Sequence, residues 1–266
     1  MTAAPGILDG VSSVLFVHAH PDDETLASGG LIAELVARGV RVTLLTASRG
    51  ERGEIVAGAL PASTDPDALT RAREEELAGA VDALGIAGQY WLGEAPARSA
   101  AMPPRRYRDS GMTWIRPGLA GPADDADADA LSVAPLGEVV DDVTALLLVE
   151  QPSLVISYDS GGGYGHPDHV RIRDAAVAAS AALGIPFAEL LEAPAADAEW
   201  FTLTEHFDVV TAALRCHASQ LTVVGSDVVH SGGQREPIGT DVGLRLVEPF
   251  ADRDATERGR VPAVIG

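Results

Sequence analysis

Short apolar runs alternate with amphipathic helical patterns along this chain, and this alternation limits the folds open to it. The apolar runs, most of them rich in Val, Leu and Ile, lie at 14–17, 40–46, 89–92 and 154–158. The helical patterns lie at 31–38, 68–84, 137–150 and 168–183. Continuous apolar strands that alternate with helices form parallel sheets covered on both faces. The sequence therefore predicts an α/β fold, a Rossmann-like, mainly parallel sheet with helices on both faces.

The length of 266 residues suits one large α/β domain, so we expect residues 1–266 to form a single domain. A long loop at about 95–135 breaks the periodic pattern with Pro, Gly and charged residues. Loops of this length are typically lids, binding loops or mobile segments, and plain disorder is equally open for the acidic part, 124–129. The arginines of the loop favour a substrate-covering role: Arg98, Arg105, Arg106, Arg108 and Arg116.

The pattern weakens after Pro186. Strands are expected at 187–191 and 200–203, and a helix at 209–220. From Ser226 to the end, no element is predicted.

The composition excludes several classes of function. A net charge of −20 repels phosphate backbones and anionic lipids, so we expect a small neutral or polar substrate and no nucleic-acid or membrane partner. All 19 basic residues are arginine, and the missing lysine excludes a P-loop and Schiff-base catalysis. Cys216, the only cysteine, can form neither an internal disulfide nor a thiolate metal cluster. Without a signal-like N-terminus or an apolar span, a cytoplasmic location is expected. The oligomeric state stays open.

Two clusters of imidazoles and carboxylates directly follow two of the predicted strands. The first is HAHPDDE at 18–24, and the second is YGHPDH at 164–169. Four of the seven histidines lie in these two loops. Side chains that follow parallel strands meet at the carboxyl edge of the sheet, where open α/β folds build their sites. The two loops together therefore indicate a metal-hydrolase centre.

Catalytic zinc sites use three protein ligands from His, Asp or Glu and keep a fourth position for water. His20, Asp23 and His169 supply such a set. His20 and Asp23 are three residues apart, on one side of a turn that Pro21 starts. Because zinc lowers the pKa of its water to about 7, a neighbouring carboxylate can remove the proton. Asp22 is the predicted general base.

His166 and His169 repeat the three-residue spacing, so one is expected to bind the metal and the other to face the substrate. Asp168 can accept a hydrogen bond from the His166 ring and raise its basicity. His166 would then be cationic when it meets the oxyanion or the leaving amine. Tyr164 can donate a hydrogen bond to the same oxyanion. The neighbouring glycines form no dinucleotide-binding fingerprint.

Other interpretations of these residues are open. A His-Pro-Asp-Asp run alone can cap a helix, and His206, His217 and His230 are expected to be structural or on the surface. Two histidines and one carboxylate also hold iron in oxygenases, although those usually have all-β scaffolds. Hydrolases on β/α barrels need further ligands after later strands, for which too few histidines remain. A non-catalytic sugar-binding relative would keep the fold without turnover.

The motifs AHPDDE at 19–24 and GHPDH at 165–169 together resemble the LmbE-like, or PIG-L-like, family of zinc-dependent N-deacetylases. GERGE at 50–54, YRDSGM at 107–112 and GGYG at 162–165 are most similar to the branch that deacetylates N-acetylglucosaminyl-inositol in mycothiol biosynthesis. The family's amidases of mycothiol conjugates are also similar, but they carry a lysine where this chain has Ala27 and Ser28.

The resemblance implies Zn²⁺ as the cofactor, bound by His20, Asp23 and His169. It implies Asp22 as the base. His166, supported by Asp168, would assist at the oxyanion or the leaving group. It further implies that Arg73 and Asp109 hold sugar or inositol hydroxyls and that Glu54 lines the pocket. The expected function is removal of an acetyl group from an N-acetylated amino sugar conjugate, with a conjugate amidase or another small-molecule N-deacylase as the alternative.

Overall fold

The computed structural model describes residues 6–100 and 102–247. Twelve strands are present in this part of the chain: β1 (Ser13–His18), β2 (Arg41–Thr46), β3 (Gly88–Trp91), β4 (Met112–Arg116), β5 (Leu119–Pro122), β6 (Leu154–Ser157), β7 (Phe187–Leu191), β8 (Glu199–Phe201), β9 (Leu221–Val224), β10 (Asp227–His230), β11 (Arg235–Pro237) and β12 (Val242–Val247). Five α-helices accompany them: α1 (Asp23–Ala37), α2 (Pro66–Leu84), α3 (Leu136–Glu150), α4 (Pro167–Leu183) and α5 (Phe207–Leu214).

Seven strands form the central sheet, in the order β3-β2-β1-β6-β7-β12-β8. The five strands from β3 to β7 are parallel. Only β12 runs antiparallel to its neighbours β7 and β8. Strand β1 is central, since Leu15 pairs with Thr43 on one side and with Val155 on the other. The predicted mainly parallel α/β sheet is confirmed, and an open sheet of this kind is neither a β/α barrel nor an all-β scaffold.

Helices cover both faces of this sheet. Successive side chains of β1 point to opposite faces, and each set packs against a different pair of helices. Val14 and Phe16 pack in one core with α1 and α2. Leu15 and Val17 pack in a second core with α3 and α4. The prediction of helices on both faces is confirmed. In the described residues, no helix is long and apolar enough to cross a membrane.

The order of the strands reverses between β1 and β6. After β1 the chain builds outward to β2 and β3, and β6 then returns to the other side of β1. In open α/β sheets, ligands bind outside the carboxyl ends of the strands at such a reversal. The loop from β1 to α1 and the loop from β6 to α4 both lie at this point. Both predicted motifs therefore lie at the position where this topology builds its site.

The segment 95–135 is more ordered than the predicted loop. Strands β4 and β5 form a hairpin in it, and Arg108 pairs with Ala130 in an isolated bridge. Arg98 is buried and donates to Asp142 and Glu138 of α3, at 2.8 Å in each case. Arg98 therefore anchors the segment to α3 and does not cover a substrate.

The last third of the described chain also departs from expectation. Strand β7 has the predicted bounds, but α5 ends at Leu214, before the predicted end at Gln220. Strands β9, β10 and β11 form a separate antiparallel sheet, and β12 inserts between β7 and β8. No element was predicted after Ser226, where β10, β11 and β12 lie, because β10 and β11 are very short and β12 pairs with β7 and β8 from much earlier in the chain. Residues 248–266 lie outside the described residues.

Candidate metal centre

The three predicted metal ligands lie together at the reversal of strand order. His20 follows β1, Asp23 begins α1, and His169 lies in the first turn of α4. Nδ1 of His20 is 3.3 Å from Nε2 of His169, and oxygens of Asp23 lie 3.3 Å from the former and 3.4 Å from the latter. Tetrahedral zinc with N and O ligands at about 2.0–2.1 Å separates its ligand atoms by about 3.3–3.4 Å. The two imidazole nitrogens have this spacing, and the Asp23 carboxylate meets each of them through a different oxygen, Oδ2 for His20 and Oδ1 for His169.

Outer contacts orient each of these ligands. Nδ1 of His169 is 3.3 Å from the carbonyl oxygen of Gly162, so Nε2 faces the centre. Oδ2 of Asp23 accepts hydrogen bonds from the Tyr158 hydroxyl and the His20 backbone N–H, both at 2.8 Å. Contacts of this kind fix the tautomers and orientations of metal ligands. Burial alone would raise the pKa of Asp23, but His169 and His20 outweigh it and hold that pKa well below its usual range.

Asp168 supports a different histidine from the predicted one. Its Oδ2 lies 3.2 Å from Nε2 of His20 and accepts the Ser110 backbone N–H at 2.9 Å, while its Oδ1 accepts the Ser110 hydroxyl. In the described structure, no hydrogen bond joins the Asp168 carboxylate to the His166 ring. Instead, the Asp168 backbone N–H donates to Nδ1 of His166 at 3.2 Å, because His166 caps α4. The carboxylate of Asp168 thus orients a ligand from the outside.

His166 lies beside the two ligand imidazoles. Its ring centroid is 4.6 Å from that of His20 and 4.9 Å from that of His169, close enough for these three rings to hold one ion. Burial lowers the pKa of His166 to about 3, and the neighbouring imidazoles act in the same direction. These surroundings favour a neutral ring, contrary to the predicted cation. Because Nδ1 accepts a backbone N–H, the proton of the neutral ring is on Nε2, which can donate to an oxyanion.

Asp22 precedes α1 in a strained conformation. Its φ of 101° is positive, a feature that it shares, among the described non-glycine residues, only with Gln151. Such a conformation costs about 1–3 kcal/mol and persists where the surroundings impose it. Burial raises the pKa of Asp22 to about 7, and the negative charge of Asp23 acts in the same direction. A carboxylate with this pKa suits general base catalysis near neutral pH.

Tyr164 and the β4–β5 hairpin border the centre. The Tyr164 ring lies 5.2 Å from that of His169 and 6.1 Å from that of His166, measured between centroids. Burial raises the pKa of its hydroxyl, which therefore stays protonated and able to donate. The Ala120 backbone N–H donates to the Tyr164 carbonyl at 2.7 Å, and the half-exposed Trp114 ring lies 5.8 Å from the Tyr164 ring. The hairpin is therefore attached to the loop that carries His166.

The predicted substrate-binding residues divide into two groups. Arg73 is buried, and its Nη2 donates to the carbonyls of Gly53 and Glu54 at 3.1 and 3.2 Å. Nε and Nη1 of Arg73 are buried without a hydrogen-bond partner among the described residues. Asp109 is also buried, with Oδ1 3.7 Å from Nε2 of His20. The side chain of Glu54 is exposed, and only its backbone carbonyl takes part.

Several residues of the centre were missed by sequence reasoning. Tyr158 is the last residue of the apolar run 154–158, and Ser110 lies in the YRDSGM segment. Both were visible in the sequence, but no role was predicted for either. Glu51, whose Oε2 accepts the Asp109 backbone N–H at 3.0 Å, also lies in a quoted motif. The order of these residues gives no signal of which atoms they contact.

The chain is similar in sequence to known deacetylases. A profile of the PIG-L family, described as GlcNAc-PI de-N-acetylase, matches residues 15–180. The 1D-myo-inositol 2-acetamido-2-deoxy-alpha-D-glucopyranoside deacetylase of Kineococcus radiotolerans is 44% identical over 172 residues, which cover 65% of this chain and 45% of that protein. The protein of the same name from Actinosynnema mirum is 36% identical over 265 residues, covering 85% of this chain and 88% of that protein. The chain spans about half the length of several curated relatives that it matches.

The fold also resembles that of a solved deacetylase. The N,N'-diacetylchitobiose deacetylase from Pyrococcus horikoshii superimposes with a TM-score of 0.56 and 22% identity, over 79% of this chain and 71% of that chain. At this identity the likeness supports the fold alone.

Proposed function

Because this chain belongs to the PIG-L family of de-N-acetylases, we propose that it is a zinc-dependent hydrolase that removes the acetyl group from an N-acetylated amino sugar conjugate. N-acetylglucosaminyl-inositol is the favoured substrate, since two relatives are named as deacetylases of that compound. One observation carries the proposal: the ring nitrogens of His20 and His169 lie 3.3 Å apart, and the Asp23 carboxylate lies 3.3 Å from the first through Oδ2 and 3.4 Å from the second through Oδ1.

The donor set of the centre fits zinc. Two imidazoles and one carboxylate, with no thiolate, form a ligand set that catalytic zinc uses. His20, Asp23 and His169 would hold the ion. When bound, it would polarise the acyl carbonyl and make a water molecule more acidic.

The surrounding residues supply the proton transfers. Asp22 accepts a proton from water as the oxygen attacks the acyl carbon, and its pKa of about 7 suits this step. Nε2–H of His166 and the Tyr164 hydroxyl donate to the oxygen that becomes negative. As the C–N bond breaks, Asp22 returns its proton to the amine nitrogen. The products are acetate, the free amino sugar conjugate and the second proton of the water, which leaves to the solvent.

The polyol part of the substrate is assigned to Arg73 and Asp109. The unpartnered Nε and Nη1 of Arg73 are donors, and a carboxylate is an acceptor, so together they suit adjacent hydroxyls. Glu54 is retained as a pocket residue on the family resemblance alone. The cytoplasmic location and the absence of nucleic-acid and membrane partners stay predictions.

Acetate release tests the proposed function. The zinc-loaded protein is incubated with N-acetylglucosaminyl-inositol and with the methyl glycoside of N-acetylglucosamine. We expect turnover of the first and slower turnover of the second, with the Asp22→Asn variant as the negative control. No acetate from either compound would refute the proposal, and cleavage restricted to larger acyl groups would favour the conjugate amidase instead.

A further inference from the structure

A fully buried ion pair lies directly behind the proposed base. Nε2 of His217 is 2.7 Å from Oε1 of Glu24, and both side chains are 0% exposed. The other carboxylate oxygen of Glu24, Oε2, accepts the backbone N–H of Asp22 at 3.0 Å. The chemistry proposed above uses neither residue. The pair therefore connects the backbone of Asp22 to a distant segment of the chain.

That segment, HASQ at 217–220, is itself held firmly. The backbone N–H and the hydroxyl of Ser219 both donate to Glu76 of α2, at 2.7 Å in each case. The carbonyl of Ser219 accepts the Val56 backbone N–H at 2.8 Å. The side-chain amide of Gln220 lies 3.4 Å from Nδ1 of His217. His217 is thus fixed to α2 and to the loop after β2 before it meets Glu24.

The strain at Asp22 needs such a support. A positive φ at an aspartate persists only where the surroundings impose it. The Glu24 carboxylate is the acceptor that holds the Asp22 N–H in this conformation. The Thr25 hydroxyl also donates to Oε1 of Glu24, but His217 is the partner that compensates its buried charge, and removal of one partner of a buried ion pair leaves the other charge uncompensated. Small displacements of a catalytic group reduce rates strongly.

We propose that Glu24 and His217 form a positioning pair that holds Asp22 in its left-handed backbone conformation beside the metal ligand Asp23. The pair acts through Asp22 and touches neither substrate nor metal. This inference rests on the proposed function for its kinetic consequences, while its structural consequence at Asp22 is independent of activity.

The kinetic test uses His217→Ala with an internal control. We expect kcat to fall about 30-fold, while KM changes less than about threefold and the zinc content stays the same. His217→Gln keeps an N–H donor for Glu24 and is expected to recover most of the loss. The matched control is the pair His206–Glu34, which has the same 2.7 Å contact on α1. Glu34 lies ten residues beyond Glu24, about 15 Å along the helix, so His206→Ala should keep kcat within about twofold.

A double-mutant cycle separates positioning from general stability. In an Asp22→Asn background, His217→Ala should cause no further loss of kcat, because the group that it positions is already inactive. An equal loss in both backgrounds would overturn the proposal, as would wild-type kcat in His217→Ala or a loss that follows zinc content. If His217→Ala does not fold, Glu24→Gln carries the same cycle, with an expected loss of kcat of about tenfold.

A crystal structure of His217→Ala tests the positioning role without any measurement of activity. We expect φ of Asp22 to leave the left-handed region. A φ that stays near its wild-type value would overturn the positioning role. If the wild-type protein releases no acetate, the proposed function fails while this structural comparison still decides the inference.

Discussion

At the scale of single residues, Asp22 shows what a motif can and cannot reveal. Its position beside a ligand was enough to predict a base. Its positive φ and its raised pKa depend on Glu24, Asp23 and burial, which a linear pattern does not contain. The partner of Asp168 was unpredictable for the same reason, because Ser110 and His20 approach it from other parts of the chain.

Asp22→Asn tests the base directly. Asparagine tolerates the left-handed conformation and keeps the size of the side chain, but it cannot accept a proton. We expect kcat to fall about 10²- to 10⁴-fold with unchanged zinc content, measured by acetate release and metal analysis. Turnover close to that of the wild type would remove Asp22 from the mechanism.

The decrease in activity at low pH should result from protonation of Asp22. Asp22 acts as a base only when it is ionised. Because its pKa is raised to about 7, it becomes protonated near pH 7 and not in the usual acidic range. We therefore expect kcat/KM to decrease as the pH falls through about 7 and to level off above it. In Asp22→Asn the small residual rate should lack this decrease. A decrease near pH 4 in the wild-type enzyme would contradict the assignment.

Substitutions of Asp168 and of His166 should differ in their effects on zinc affinity. Because Asp168 orients the ligand His20, Asp168→Asn is expected to weaken zinc affinity about 10- to 100-fold in a competitive chelator titration. His166→Ala should keep zinc affinity within about threefold and lower kcat about 10²- to 10³-fold, since it removes an oxyanion donor. Loss of zinc from His166→Ala would instead make His166 a ligand.

At the scale of elements, α1 and α4 present their first turns to the centre. Asp23 and Glu24 lie in the first turn of α1, and Asp168 lies in that of α4. The positive end of each helix dipole favours the carboxylates there. Apolar periodicity located α4 and β6 well, because both are buried in a continuous core. It failed for α1, which starts at Asp23 and not at Leu31, since polar motif residues form its first turn.

The β4–β5 hairpin was hidden in a segment rich in Pro, Gly and charge. Trp114 is 52% exposed beside Tyr164, so we expect its ring to contact the second ring of a sugar conjugate. Trp114→Ala should raise KM for N-acetylglucosaminyl-inositol about 2- to 12-fold, the equivalent of about 0.5–1.5 kcal/mol, with kcat unchanged. Ile115→Ala is the control, because Ile115 is 66% exposed and its side chain lies over Gly121 of β5. If both substitutions raise KM equally, the cause is a disturbed hairpin structure and not the loss of a contact between Trp114 and the substrate.

At the scale of the whole molecule, the centre joins the two sides of the strand reversal. His20 and His169 are separated by 149 residues yet lie 3.3 Å apart. This convergence was predictable, because parallel strands bring their carboxyl ends to one edge. The positions of β10, β11 and β12 were not predictable. Strands β10 and β11 are too short to show a strong local pattern, and β12 pairs with β7 and β8, which lie much earlier in the chain.

An ion at this junction should stabilise the entire fold. A ligand that binds only the folded state at 100 times its Kd adds about 2.7 kcal/mol, which corresponds to an increase in Tm of roughly 5–10 °C for a domain of this size. We expect zinc to raise Tm of the chelator-treated protein by this amount in differential scanning fluorimetry, and His169→Ala to abolish the shift. His206→Ala should keep it. Glu34, Glu205 and His206 form another cluster close enough to hold an ion. A zinc shift that survives His169→Ala and disappears in His206→Ala would therefore place the ion at that cluster, away from Asp22.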